Sequence, residues 1–272
     1  MEHAWTGAAR LRVAINEGVA PAESRLVAAV RALPFVEIAG QGEPALLTLL
    51  RRGDAEQAPV LVFARDGTGL TRLGEVARPG FEEALRQALL AVYNAERLLA
   101  LPSRPLAATG MQLCLSHRFD HPVAQCPEPD DRQRRLVIDR PLAMTITNAG
   151  DIARHVAVLV IDDRYGITQL VPAHQGRDPP MEPMASQRTP AFKLDTTGLY
   201  RFVVIASDAP MATAALEQPA VGRSFDGACD RAVEDPGLCD RVALGGRDGA
   251  AASPGAWTIS IEDALVEREV GR

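Results

Sequence analysis

Apolar residues in the first hundred positions alternate between short runs and helical stripes, which predicts a compact unit of strands and helices. Leu11–Ile15 is a short apolar run typical of a buried strand. Leu26, Val30 and Leu33 recur at helical spacing, and a longer stripe of the same kind predicts a helix over Pro79–Leu101. The remaining predicted elements are a strand at Phe35–Ala39, a short helix at Pro44–Arg52, a strand at Val60–Ala64 and a hairpin strand at Leu70–Leu73. The order βαβαββα indicates an α/β domain over residues 1–102.

After a proline-containing linker at Leu101–Pro105, alternation with a period of two dominates, which indicates strands. Leu142, Met144 and Ile146 alternate with alanine and threonine, as on a half-buried strand. Val156–Ile161 is apolar throughout, as expected for a central strand. Further strands are predicted at Ile167–Val171, Phe192–Leu194, Tyr200–Ala206 and Trp257–Ile261. This pattern predicts an antiparallel Ig-like β-sandwich over residues 106–272, and an α+β chain overall.

The composition excludes several function classes. The 272 residues are 47% hydrophobic and 24% charged, which is typical of a folded globular protein. The formal net charge of −6 argues against a nucleic-acid partner, because such proteins carry a basic excess. No stretch reaches the roughly 18–20 apolar residues that a membrane span requires, and no signal-peptide core is visible near the start. Phosphate-loop and dinucleotide fingerprints are missing, so no cofactor is expected.

Four cysteines form two local pairs, Cys114 with Cys126 and Cys229 with Cys239. Each pair brackets a polar segment that contains proline, so packing does not explain the cysteines. A disulfide in each pair would close a short loop and contribute on the order of 2–3 kcal/mol. Because disulfides require an oxidising compartment, paired cysteines would indicate a periplasmic or extracellular chain, and otherwise the chain would be cytoplasmic.

Zinc binding is an alternative for the first cysteine pair, and free thiols are a third interpretation. Cys114, His117, His121 and Cys126 supply sulfur and nitrogen ligands suited to a tetrahedral site. Their spacing matches no common zinc finger. On a strand, His117 would point to the face opposite Cys114.

A catalytic constellation is not evident in the sequence. The Gly-x-Ser-x-Gly elbow of serine hydrolases is missing. A cysteine peptidase would need Cys229 or Cys114 beside a histidine base, and no His-Gly turn lies upstream of Cys229. We therefore expect no catalytic residue, with a cysteine peptidase-type hydrolase as an alternative.

Several segments of the second part resemble one family. They are Thr147–Asp151, His155–Asp162, Tyr165–Pro172, Thr197–Pro210 and the terminal run Trp257–Ile261. Together they are similar to the β-rich domain that follows the protease domain in many bacterial caspase-like proteins, and residues 11–101 resemble the α/β spacer in those chains. The resemblance implies an accessory region without the protease domain, so it transfers no catalytic residue. Its implied role is to bind a substrate or a partner such as a caspase-like protease domain, or to position the protease.

We therefore expect a non-catalytic protein-binding module, with a disulfide-stapled structural protein of the envelope as a further alternative. Long loops on a rigid sheet are where binding usually resides. Two long loops separate the predicted strands, a Pro-rich one over residues 173–190 and another over 207–255. The polar candidates for partner binding in these loops are Arg177, Asp178, Arg188, Arg223 and Asp226.

Overall fold

The computed structural model describes residues 10–17, 24–51, 58–117, 135–172, 179–211, 213–221 and 257–268. The chain divides into two compact units, of which the first comprises Met1–Glu96 and Ala220–Ser224 and the second the remainder. Within the described ranges, neither α-helix is long and apolar enough to cross a membrane. The predicted domain limits at residues 102 and 106 stay a prediction.

The first unit contains a five-stranded mixed sheet. Its elements are β1 (Leu11–Glu17), α1 (Arg25–Arg31), β2 (Val36–Ile38), β3 (Leu47–Arg51), β4 (Pro59–Ala64), β5 (Gly69–Glu75) and α2 (Phe81–Leu99), whose last turn belongs to the second unit. The strand order is β2-β1-β3-β4-β5. β1 runs parallel to both β2 and β3, whereas β4 runs antiparallel to both β3 and β5.

Local sequence explains both helices. α1 begins after Ser24, whose side-chain oxygen accepts the backbone N–H of Val27 at 3.1 Å and so caps the helix. α2 carries Glu82 and Glu83 in its first turn and Arg97 in its last, a charge order that complements the helix dipole. The predicted apolar face of α2 is confirmed, because its buried side chains include Phe81, Leu85, Ala88, Leu89 and Val92.

The predicted helix at Pro44–Arg52 is wrong, because these residues contain strand β3. β3 lies between β1 and β4 and pairs with both. Leu47 and Leu49 are fully buried, and burial recurs at every second residue of this segment, which is the period of a strand. The leucines at positions 46, 47, 49 and 50 fit a helix or a strand equally well over so short a run. Pairing with two neighbouring strands therefore decides the structure of this segment.

The second unit contains two sheets. Its strands are β6 (Met111–Ser116), β7 (Arg135–Val137), β8 (Ala143–Asn148), β9 (His155–Ile161), β10 (Ile167–Val171), β11 (Ser186–Arg188), β12 (Gly198–Ser207) and β13 (Trp257–Glu267), with short 3-10 helices at Leu106–Thr109 and Thr213–Leu216. One sheet has the order β10-β9-β12-β13-β7, and the other has the order β11-β8-β6. β13 and β7 pair in parallel, which departs from the predicted antiparallel arrangement; the other pairs are antiparallel.

Most predicted strands of this unit are confirmed, namely those that correspond to β8, β9, β10, β12 and β13. The predicted strand at Phe192–Leu194 is reduced to a single bridge between Phe192 and Leu142. β6, β7 and β11 are not predicted by the sequence, and β11 lies inside the predicted loop over residues 173–190. β7 and β11 have three residues each, which is too short for a period to be recognised.

Side chains of both sheets share one hydrophobic core. β12 contributes Tyr200, Phe202 and Val204, and β8 contributes Met144 and Ile146, in each case at every second residue. The second half of β9 is buried on both faces, as its continuous apolar run predicts. The chain is therefore a mixed α+β protein that consists mainly of strands.

The phenol of Tyr200 ties the start of β12 to the preceding turn. Its hydroxyl donates to the carbonyl oxygen of Thr196 at 3.2 Å, accepts the N–H of the same residue at 3.3 Å, and lies 2.6 Å from the Thr196 Oγ1. The residue is buried. Burial raises the pKa of the Tyr200 hydroxyl above its ordinary value of 10.0, an effect that the hydrogen bonds with Thr196 oppose.

Tyr200→Phe should lower the free energy of unfolding by about 1 kcal/mol at neutral pH, because it removes these hydrogen bonds. The stability that wild-type Tyr200 contributes is fully present below pH 10.0, its unfolded-state pKa, and is lost as the pH rises through the raised folded-state pKa. The stability gap between the two proteins should therefore narrow above that pH. Urea unfolding across the alkaline range measures this gap, and a gap that stays constant would contradict the prediction.

Candidate functional site

The described parts of three loops that connect strands of the second unit lie at one end of its two sheets. Asn148, the last residue of β8, lies opposite Met111, the first residue of β6. In the other sheet Ser207, the last residue of β12, lies opposite His155 and Trp257, which begin β9 and β13. β10 runs antiparallel to β9, and β11 starts beside the end of β8. We call residues 149–154, 179–185 and 208–211, which follow or precede these strand ends, the loop end.

The side chain of Asn148 connects two of these loops. It is 1% exposed. Its amide nitrogen donates to the carbonyl oxygens of Ile152 at 2.8 Å and Met181 at 2.9 Å. Its amide oxygen accepts the N–H of Gly150 at 3.1 Å. One buried carboxamide therefore uses three of its hydrogen-bonding positions on the backbone of the β8–β9 and β10–β11 loops.

A tight turn packs against the backbone of the same asparagine. The N–H of Ala185 donates to the carbonyl of Glu182 at 3.0 Å, and the φ of Met184 is 59°. Pro183 followed by a residue with positive φ is the signature of a type II turn. Asn148 donates its N–H to the Ala185 carbonyl at 3.0 Å and accepts the Met184 N–H at 2.7 Å. These bonds fix the position of the turn.

Met184 is in an unfavourable backbone conformation for its type. Glycine or asparagine is usual at this position of a type II turn, and the left-handed region costs another residue roughly 1–2 kcal/mol. The Met184 side chain is 74% exposed, so burial does not compensate for this cost. Strain of this kind clusters at functional sites. Met184 is therefore the first candidate for partner contact.

Ile152 presents a second exposed apolar side chain on the adjacent loop, where it is 47% exposed. Backbone atoms of Ile152 and Met184 are both bonded to Asn148, so the two exposed residues lie on loops that this asparagine connects. Arg154 forms an ion pair with Asp208 and so links the β8–β9 loop to the start of the β12–β13 loop. The loop end thus combines an exposed apolar pair with loops held by specific hydrogen bonds.

The described part of the β12–β13 loop is anchored along β10. Ile167 and Gln218 exchange two backbone hydrogen bonds of 2.8 and 3.0 Å. The N–H of Gln169 donates to a carboxylate oxygen of Glu217 at 2.9 Å, and Thr213 donates to the side-chain oxygen of Gln169 at 2.6 Å. This outer edge of the five-stranded sheet is therefore covered by the chain's own residues, which protects it from pairing with other strands.

The residues predicted to bind a partner lie mostly outside the described residues: Arg177, Asp178, Arg223 and Asp226. Arg188 is described. It lies at the end of β11, opposite Thr145, and is half-buried. It is two residues further from the loop end than Ser186, where the strand begins. The structure therefore brings Arg188 into a strand pair instead of a free loop.

Of the predicted disulfide and zinc residues, Cys114 and His117 are described, and His121, Cys126, Cys229 and Cys239 are not. Cys114 is half-buried on β6 and is disulfide-bonded, so it offers no thiolate to a metal. The pairing of Cys114 with Cys126 and of Cys229 with Cys239 stays a prediction. In the described ranges, no group of three or more His, Cys, Asp or Glu side chains could hold a metal ion.

Both ring nitrogens of His117 are used for structure. Nδ1 lies 2.9 Å from the carbonyl oxygen of Pro141, and Nε2 accepts the N–H of Val137 at 3.3 Å. These two bonds together require a proton on Nδ1 and a lone pair on Nε2. The imidazole therefore connects the end of β6 to β7 and to the turn that precedes β8.

No known protein family, curated protein or solved structure matches this chain. The site is therefore defined by its geometry alone. The sequence patterns do not mark Asn148, Ile152 or Met184 as candidate site residues. The available signals were Asn148 at a turn after an alternating strand and Pro183 directly before Met184.

Asn148→Ala should lower the free energy of unfolding by about 2–4 kcal/mol, because it removes three hydrogen bonds of a buried carboxamide, although the Met181 carbonyl keeps the N–H of Arg154. Gln187→Ala, which removes an exposed polar side chain from β11, is the matched control and should change stability by less than about 0.5 kcal/mol. Urea unfolding measures both values. Equal stability of the two variants would show that the Asn148 side chain does not hold the loops.

Proposed function

We propose that this chain is a non-catalytic protein-binding module, the accessory region of a caspase-like bacterial protein. It recognises a substrate or partner, or positions a protease. The observation that carries this proposal is the loop end, where the buried Asn148 holds two loops and the exposed side chains of Ile152 and Met184 extend from them. Exposed apolar groups on a rigid support are typical of protein interfaces.

The proposal includes an Ig-like sandwich for the second unit. The order β6-β8-β11 corresponds to strands A, B and E of an Ig domain, and the order β13-β12-β9-β10 corresponds to G, F, C and C′. Tyr200 lies near the start of β12, and its hydroxyl bonds to Thr196, four residues upstream. These bonds correspond to the tyrosine corner of strand F. Strand order, chain order and this corner support the same assignment.

The position of the loop end supports a binding role. In variable-type Ig domains, the B–C, C′–C″ and F–G loops at one end of the sandwich form the binding surface. The loops β8–β9, β10–β11 and β12–β13 have the corresponding positions here. Two of them are the loops in which the sequence predicts partner contacts.

The resemblance to caspase-like proteins supports the choice of the proposed partner. The segments that carry it correspond to the end of β8, to β9, β10, β12 and the start of β13, and so to the strands that frame the loop end. A caspase-like protease domain is therefore the first partner to test.

A disulfide-stapled structural protein of the envelope is a second candidate, and the oxidised state of Cys114 favours it. Disulfides persist mainly in oxidising compartments such as the periplasm. This candidate also proposes a periplasmic or extracellular location for the chain.

The binding proposal predicts that a caspase-like protease domain from the same organism binds the immobilised chain in biolayer interferometry. The double variant Ile152→Asp/Met184→Asp should weaken this binding at least about tenfold, because it places two carboxylates in the apolar contact. If none of the organism's caspase-like domains binds at concentrations up to about 100 µM, the proposal is wrong.

Two control variants separate binding from folding. Leu265→Asp makes the same type of change at an exposed leucine on β13, about 26 Å along the sheet from the loop end, and should leave binding within about twofold. Met184→Gly relieves the left-handed strain, so it should preserve stability while weakening binding. An equal loss of binding for Leu265→Asp and for the double variant Ile152→Asp/Met184→Asp would contradict the assignment of the loop end as the binding surface.

The second candidate predicts that Cys114 resists alkylation by iodoacetamide in denatured protein purified from its native host, and reacts only after reduction. Peptide mapping by mass spectrometry identifies the labelled cysteines and the partner of Cys114, for which Cys126 is predicted. Full labelling of Cys114 before reduction would exclude this candidate.

A further inference from the structure

The segment Pro179–Pro183 of the loop end has a restricted backbone. Three of its five residues are prolines, whose rings fix φ near −65°. Pro180 and Pro183 also disfavour helical geometry at the residue before each of them, Pro179 and Glu182. Met181 pairs with Arg154 in an isolated β-bridge. The segment is therefore extended before any partner binds, and ordering it costs little entropy.

Pro180 and Pro183 are three residues apart, so they lie on one face of an extended backbone with three residues per turn. Pro180 and Pro183 are exposed, and so are Pro179 and Glu182. Met181 alone is buried, at 9% exposure. It exchanges backbone hydrogen bonds of 2.7 and 3.0 Å with Arg154 and accepts the Asn148 amide at 2.9 Å. The segment is thus attached through one face, while both X-Pro dipeptides face solvent.

Charge on the loop end is mainly acidic. Glu182 is exposed between the two prolines, and Asp151 is exposed next to Ile152. The carbonyls of Ile152 and Met181 bind the same Asn148 amide, so the two acidic residues lie on neighbouring loops. Among the described residues of the loop end, the cation is Arg154, which is paired with Asp208. A complementary partner surface therefore carries positive charge.

We propose that Pro180 and Pro183 form a proline ridge that docks in an aromatic-lined groove of the partner, with a cationic side chain of the partner beside Glu182. Pro-x-x-Pro segments in the extended conformation bind such grooves because little conformational entropy remains to be lost. This inference rests on the proposed binding function and names the chemistry of the partner surface.

The probe is a WW domain whose Tyr/Trp groove is bordered by arginines. The probe is labelled with ¹⁵N and titrated with the full chain. Chemical shifts should change in the groove, with a Kd on the order of 100 µM. Pro180→Ala and Pro183→Ala should each weaken binding at least about tenfold. Pro210→Ala, which changes an exposed proline of the loop end outside the ridge, is the matched control and should have an effect below about twofold.

Glu182→Gln tests the charge. It should weaken binding to the probe and reduce the salt dependence, because the ion pair across the interface is removed. Circular dichroism confirms that each variant is folded. No shift in the groove with the wild-type chain, or an equal loss for Pro210→Ala and Pro183→Ala, would overturn the inference.

Failure of this inference and failure of the proposed function are distinguishable. Binding of a caspase-like domain that depends on Ile152 and Met184, together with no response of the WW probe, would reject the proline ridge alone. Ridge-dependent binding of the probe without binding of any caspase-like domain would support the ridge and reject the proposed partner class.

Discussion

The carboxamide of Asn148 holds the loop end together. It joins the β8–β9 loop to a residue 33 positions further along the chain, Met181, and it is almost completely removed from water. A carboxamide in such surroundings needs partners for its own polar atoms, since an unpaired buried polar group is costly. The asparagine supplies two N–H donors and one acceptor from one rigid group, so the relative position of the two loops is fixed by its geometry.

The scaffold behind Asn148 explains why this geometry can be maintained. β8 is the central strand of its sheet, and its residues Met144 and Ile146 lie in the core that both sheets share. The β8–β9 turn is also held at close range by the backbone of Gly110, where an added Cβ would approach the Cα of Gly150 to 3.2 Å. A support of this kind can tolerate a strained residue at its surface. The positive φ of Met184 raises the energy of its backbone, and the surrounding hydrogen bonds hold the residue in this conformation.

Several elements could be predicted from local sequence because their signal is long or strongly biased. α2 has nineteen residues with one apolar face. β9 is a continuous apolar run, as expected for a strand that is buried on both faces. β3 could not be predicted, since its leucines satisfy two periods and its strand neighbours are far apart in sequence. β7 is a strand only because β13, more than a hundred residues later, pairs with it. The Tyr200 corner, by contrast, is a local contact with Thr196.

The sequence by itself determined that the chain is an α+β protein and that its second part is strand-rich. These properties follow from periodicity and from the conformational limits of proline and glycine, which act over a few residues. Only the tertiary structure decided that Asn148 connects the β8–β9 and β10–β11 loops and that Ile152 and Met184 are exposed on them. Those relations depend on hydrogen bonds between residues distant in the chain, which no local pattern encodes.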